Sequence, residues 1–153
     1  MATAAKMPSV TPYLTIKGAA EAIAFYEKAF GAEENFRLPA QDGKRLMHAD
    51  ITINGGRILM SDEFPEHGEE HGAIRAPTPK NPAGLAIALH FTKPAEVDAI
   101  FHRAVEAGCK SVQEPADMFW EARFAMLRDP FGHRWMLNAP LPTRKAQPPK
   151  KKT

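Results

Sequence analysis

The chain says nearly the same thing twice, and that repetition limits its fold more than any other feature. In the first half Ala22, Phe25, Tyr26, Ala29 and Phe30 fall at i, i+3, i+4, i+7 and i+8, one apolar helical stripe. Val97, Ile100, Phe101, Ala104 and Val105 repeat those intervals 75 residues later. Gly31 closes the first stripe and Gly108 the second, as suits a helix end that needs positive φ. Pro94 suits the first turn of the second helix, where a missing N–H costs nothing.

Strand-like runs surround each stripe. "VTPYLTI" and "LAIALHFT" lead in. "HADITINGGRILMSD" reads as two strands around the hairpin signal Asn54-Gly55-Gly56. "ARFAMLRDPFGHRWMLN" is its counterpart, with Asp129-Pro130-Phe131-Gly132 spaced for a type I turn and Gly132 lying 76 residues after Gly56. The expected architecture is α+β: a first βαβββ module at 9–62, a Pro/Gly-rich linker or lid at 63–84, a second βαβββ module at 85–139, and a disordered basic tail at 140–153. Neither module can bury its sheet alone, so each packs on the other or on a second subunit.

Composition excludes several classes. With 44% hydrophobic and 25% charged residues in 153, the chain is globular. No apolar run approaches the ~20 residues that span a bilayer, and "MATAAKMPSVTPY" lacks the apolar core of a secretory signal. The single cysteine, Cys109, rules out a disulfide framework and a four-Cys zinc site, so a reduced, cytoplasmic protein is expected. Net charge is +2, and setting aside the five basic residues of the tail leaves the rest at −3. That balance makes a poor nucleic-acid surface. His67, Glu70 and His71 spell H-x-x-E-H, a zinc-peptidase pattern that needs a helix. The prolines and glycines around it forbid a sustained one.

Paired βαβββ modules with a D-P-x-G turn before the last strand resemble the vicinal oxygen chelate superfamily, which includes glyoxalase I, extradiol dioxygenases and bleomycin resistance proteins. "VTPYLTIKGAAEAIAFYEKAFGAE", "RLMHADITINGGRILMSDEFPE" and "DMFWEARFAMLRDPFGHRWMLN" look closest to its PhnB-like branch. One departure is that this branch often has W-G-D-R where Trp120-Glu121-Ala122-Arg123 stands here. A methyltransferase label sometimes given to the branch finds no support, because no glycine-rich nucleotide loop follows a strand. The resemblance implies curled mixed sheets around a cavity, and in the metal enzymes a His or Glu ligand on each of four strands. Aligned through Phe25-Tyr26, the hairpin and the D-P-F-G turn, those positions fall at Thr11, Met60, Ala86 and Met136. None is a good ligand for a divalent cation, and the two methionines would make a soft apolar floor. The implied protein is a homodimer that binds a small organic molecule, a drug or metabolite, with no metal or other cofactor. Neither nucleic acid nor membrane is an expected partner. The alternative is a metal-dependent lyase, isomerase or oxygenase with displaced ligands.

Strand alternation supplies candidates for both readings. Ala86, Ala88 and His90 share a face, so His90 is expected in the cup; His48 shares a face with Asp50 and Thr52, and Asp62 with Met60. His48, Asp62 and His90 compose a possible two-His-one-carboxylate set. Each also reads as an ordinary hydrogen-bonded histidine or turn-capping aspartate. Tyr13 and Thr15 line the cup beside Thr11. Phe119 and Trp120 either stack on a planar ligand or plug a core or dimer contact. Arg123 is placed to pair with a ligand carboxylate or phosphate, or with Glu121 at the surface. His102 and His133 read as surface residues.

Overall fold

The computed structural model describes residues 6–68 and 75–142. The first module runs β1 (Tyr13–Ile16), α1 (Ala19–Phe30), β2 (Glu33–Pro39), β3 (Leu46–Ile53) and β4 (Gly56–Asp62). The second runs β5 (Ala86–His90), α2 (Pro94–Ala107), β6 (Lys110–Met118), β7 (Ala122–Arg128) and β8 (Arg134–Pro140). Each makes a four-stranded mixed sheet, ordered β1-β4-β3-β2 and β5-β8-β7-β6, with the first strand parallel to the last and the other pairs antiparallel. The duplicated α+β architecture is therefore present, and the two sheets do not close into one. No helix among the described residues is long and apolar enough to cross a membrane.

One face of each sheet is committed to its helix. Leu14, Ile16, Ala49, Ile51, Ile58 and Met60 bury the first sheet under α1 through Ala22, Ile23, Tyr26 and Phe30. Leu89, Ala125, Leu127, Trp135 and Leu137 do the same under Val97, Phe101 and Ala104. The two expected stripes thus face the core, except that Val105 turns outward at 39% exposure. Gly31 takes φ 70° at the end of α1, and carbonyls of that last turn are also met from the other module: Arg103 on α2 donates to Glu27 O and Lys28 O at 3.1 and 2.8 Å.

The deeper tie between modules is a buried carboxylate. Asp129, at the start of the D-P-F-G turn, accepts from Tyr26 Oη of α1 at 2.6 Å and Trp135 Nε1 at 2.8 Å. Its other oxygen accepts the Phe131 and His133 amides at 2.8 and 3.0 Å. Burial and the neighbouring Asp129 charge push the Tyr26 hydroxyl well above its ordinary value, so it stays a donor. His133 is not at the surface as expected. It is 5% exposed, with Nε2 at 3.2 Å from Thr15 O, because the turn tucks under the edge of β1. His102 does lie exposed on α2.

The connection between modules begins with a short 3₁₀ turn, Pro65–His67, while Glu70 and His71 lie outside the described residues. Its later part packs on the second module: Ala83 N donates to Gly132 O at 2.9 Å and Arg128 Nη1 to Pro79 O at 3.3 Å. Gly132, at φ 89°, has the Thr78 backbone 2.7 Å from where a Cβ would stand. Only glycine allows that approach. The second module ends one residue past its expected boundary, at Pro140, and the tail from residue 143 onward is outside the described residues.

Candidate functional site

Because strands alternate, the residues between the core positions define a second face on each sheet, turned away from the helices. On the first sheet Phe36, Asp50, Leu59 and Tyr13 follow one another across the strands by register, with Leu38 and His48 in the next row. On the second sheet Phe124, Asn138 and His90 form one row, Met126, Met136 and Ala88 the next, and Arg128, Arg134 and Ala86 the third. The β3–β4 turn meets β5 at a seam between the sheets, where Asn54 Nδ2 donates to His90 O at 2.7 Å. A hollow of about 310 Å³ at that seam is lined by Pro12, Arg57, Ala88 and His90 among others. A larger cleft, about 570 Å³, opens at the far end of β3 and β4 against Arg45, Met47, Ser61 and Phe64.

Several expected site residues belong to this open face. Tyr13 is 51% exposed, its hydroxyl lying 2.9 Å from His48 Nδ1, and the Phe36 ring sits 6.2 Å from the imidazole. His90 and Met136 face the same side of the second sheet. Trp120, 46% exposed, packs edge-on to Phe124 at 5.6 Å, which sets it at the rim. Phe119 is 91% exposed and so plugs no core within the chain.

Others do not belong to it. Met60 is fully buried against the helix, and Leu59 holds the cup-facing place beside Tyr13. Asp62 is also on the helix side. Its carboxylate accepts the amides of Gly18, Ala19 and Leu46 at 2.7, 3.1 and 2.7 Å, closing the start of α1. Arg123 lies on the helix face of β7, where Asp98 on α2 and Asp117 on β6 hold it at 2.9 Å each and keep its pKa raised. Its partners are these two aspartates rather than Glu121 or a ligand.

These placements decide whether a metal fits. His48 and Asp62 point to opposite faces of one sheet and His90 lies across the seam, so the three cannot converge. Asp50, a carboxylate on the open face, accepts Arg57 Nε at 2.8 Å and Asn35 Nδ2 at 3.1 Å, and these bonds hold its pKa down. Among the described residues no three His, Cys, Asp or Glu side chains are grouped to hold an ion. The open-face positions on β1, β4, β5 and β8 include Tyr13, Leu59, Ala88, Met136 and Arg134, and a cationic guanidinium disfavours a divalent ion further. The donor set does not fit the metal the superfamily implies. Sequence reasoning put Asp50 on the His48 face without giving it a role and missed Arg57, Arg128 and Arg134, although strict alternation from the buried Ile58, Leu127 and Trp135 marks each of these three.

Comparison with known proteins adds to this geometry. A profile of the glyoxalase/bleomycin resistance protein/dioxygenase superfamily matches residues 7–137. An uncharacterised protein of Mycobacterium tuberculosis is 39% identical over 134 residues, covering 88% of this chain and 75% of its own. Escherichia coli protein YjdN is 26% identical over 149 residues, covering 84% of this chain and 93% of its own. A solved Pseudomonas aeruginosa structure matches with a TM-score of 0.68 at 25% identity, covering 88% of this chain and 98% of the other. The PhnB protein of Bacillus cereus gives 0.63 at 20%, over 86% and 99%. The fosfomycin resistance protein FosX of Listeria monocytogenes, complexed with Mn(II) and sulfate, gives 0.62 at 19%, over 87% and 93%. For the last two the likeness is one of fold.

Proposed function

The chain belongs to the glyoxalase/bleomycin resistance protein/dioxygenase superfamily, and from that premise we propose that it binds a small organic molecule on its open sheet faces without the metal used elsewhere in the superfamily. One observation carries the reading. Each sheet gives one face to its helix and leaves the other open with large apolar side chains on it: Tyr13 51%, Phe36 52%, Leu38 45% and Trp120 46% exposed. Such surface favours an apolar or aromatic occupant at roughly 25 cal/mol per Å² removed from water. The Tyr13–His48 pair supplies orientation through one donor and one acceptor. A homodimer is part of the proposal, because a second copy would cover open faces that one chain leaves in water. A reduced, cytoplasmic setting is proposed with it, supported by the single cysteine, Cys109, whose thiol burial pushes up to about 12. The solved FosX, which is named for drug resistance, supports small-molecule handling as a use of this fold.

Thermal denaturation against a panel of planar drugs and metabolites tests the binding reading. A binder present at a hundred times its Kd adds about 2.7 kcal/mol of stability, and that shift should shrink in Tyr13→Ala and Trp120→Ala. If no compound moves the melting temperature and no amide resonance of β1, β3, β7 or β8 shifts, the reading fails. Sedimentation equilibrium tests the dimer directly.

A further inference from the structure

We propose that Arg128 and Arg134 form an oxyanion site at one end of the open face of the second sheet. The ligand would then be a small organic anion, with a carboxylate or phosphate joined to an apolar body. The proposal rests on the binding reading above and narrows it. The two arginines stand directly opposite each other on β7 and β8. Like charges in that arrangement destabilise a sheet unless something neutralises them. Arg37, Arg45, Arg57 and Arg123 each rest on a carboxylate. Among the described residues neither Arg128 nor Arg134 does. The Nε atoms of both are buried without a hydrogen-bond partner, although Arg128 reaches Pro79 O through Nη1.

Two facing guanidinium heads that rest on no carboxylate among the described residues call for a counter-ion, and an oxyanion supplies one. The outer Nη groups of a guanidinium match the oxygens of a carboxylate or phosphate, and two facing guanidiniums present such groups from both strands. On the far side of Arg134 the register partner is Ala86, whose side chain is only a methyl. The next row is Met126 and Met136, two residues along and so about 7 Å away by strand rise. An anion held by the arginines therefore lays its attached body on thioether and then on Phe124 and Trp120. The three open-face rows on β5, β7 and β8 contain no acidic residue to compete for the arginines.

Calorimetric titration of the full chain with benzoate, inorganic phosphate and benzamide tests the assignment, since benzamide keeps the ring and removes the charge. At least one of the two anions is expected to bind more tightly than benzamide, and which one does so separates a carboxylate ligand from a phosphate ligand. Arg134→Gln and Arg128→Gln should each weaken that anion about ten- to hundredfold, with Arg37→Gln unchanged. Free of anion, Arg134→Gln should melt no lower than the parent, because a like-charge contact has been removed. Unchanged anion affinity in the double variant overturns the proposal, as does a lowered melting point in Arg134→Gln without loss of affinity. Binding of benzamide alone overturns it while sparing the broader reading. Failure of all three probes, together with the failure of the drug panel, removes both.

Discussion

Tyr26→Phe offers the sharpest test of how the two modules are joined. The hydroxyl crosses from α1 to the second module, is fully buried, and donates to Asp129 Oδ2 at 2.6 Å. Phenylalanine keeps the ring in place against Phe30 and Trp135, so the change isolates the hydrogen bond. Bonds to charged acceptors contribute about 1.5–3 kcal/mol. Asp129 keeps three other donors, Trp135 Nε1 and the Phe131 and His133 amides, so its carboxylate is not stranded and the lower end applies. The expected loss is about 1.5–2 kcal/mol, which for a chain of this size lowers the melting temperature by roughly 3–8 °C. Asp129→Ala strands four donors at once and should cost more than twice as much.

Alkaline pH provides the second arm of the same test. The folded Tyr26 hydroxyl is held above its unfolded value of about 10, so its contribution is complete below that pH and is lost as pH rises above it. Cys109, pushed up to about 12 by burial, contributes with the same sign and is removed by Cys109→Ala as a control. Urea denaturation from pH 8 to 11 should therefore show a falling limb that flattens in Tyr26→Phe. A Tyr26→Phe variant within about 0.5 kcal/mol of the parent, with the limb intact, would refute the claim that this hydroxyl couples the modules.

Asp62→Ala should cost about 2–4 kcal/mol in urea denaturation, since it releases three amides at the start of α1 and of β3. Gly132→Ala should destabilise by strain at φ 89° and by collision with Thr78, and should raise amide exchange across residues 76–83 first. Arg57→Met should remove an acid-side component of stability. Asp50 is lowered by its bonds to Arg57 and Asn35, so this component is present above about pH 4 and disappears as pH falls through the folded value. Cys109 should alkylate slowly in the native protein at pH 8 and rapidly in denaturant, read by mass spectrometry.

The fold was legible because burial repeats with the helix and strand periods. Tyr26 and Phe101 are spaced 75 residues apart and occupy equivalent stripes, so counting apolar positions was enough to find both modules. The cup lining was less legible because the repeat is not constant along the chain. The hairpin between Thr52 and Arg57 has four residues inside that pair, whereas the turn between Arg128 and Arg134 has five. Pairing against β1 and β5 therefore makes Leu59, not Met60, the counterpart of Met136. An alignment carried through Gly56 and Gly132 slips by one at that turn, and in a strand one residue exchanges the two faces. Met60 and Asp62 were drawn toward the hollow for that reason alone. His133 escaped notice differently: the contact that buries it, Thr15, is 118 residues away, and no local pattern records it.

The same comparison shows where the two halves have diverged. Facing the helices, the modules remain alike in kind: Leu14 and Leu89, Ala49 and Ala125, Ile51 and Leu127 keep apolar volume in matching places, because losing it costs core packing. On the open faces, Tyr13 has a methyl at Ala88 as its counterpart, and the Asp50–Arg57 pair of the first sheet is matched in the second by Met126 and by Arg134, which rests on no carboxylate among the described residues. A surface kept only for stability would have no reason to leave arginines facing each other with no acid beside them among the described residues, since that arrangement is unfavourable in the empty protein. The asymmetry suits the binding face proposed above: one sheet offers a hydroxyl–imidazole pair and the other positive charge. A ligand lying between them would meet different chemistry at each end, so its orientation would be fixed by the very positions at which the repeat breaks.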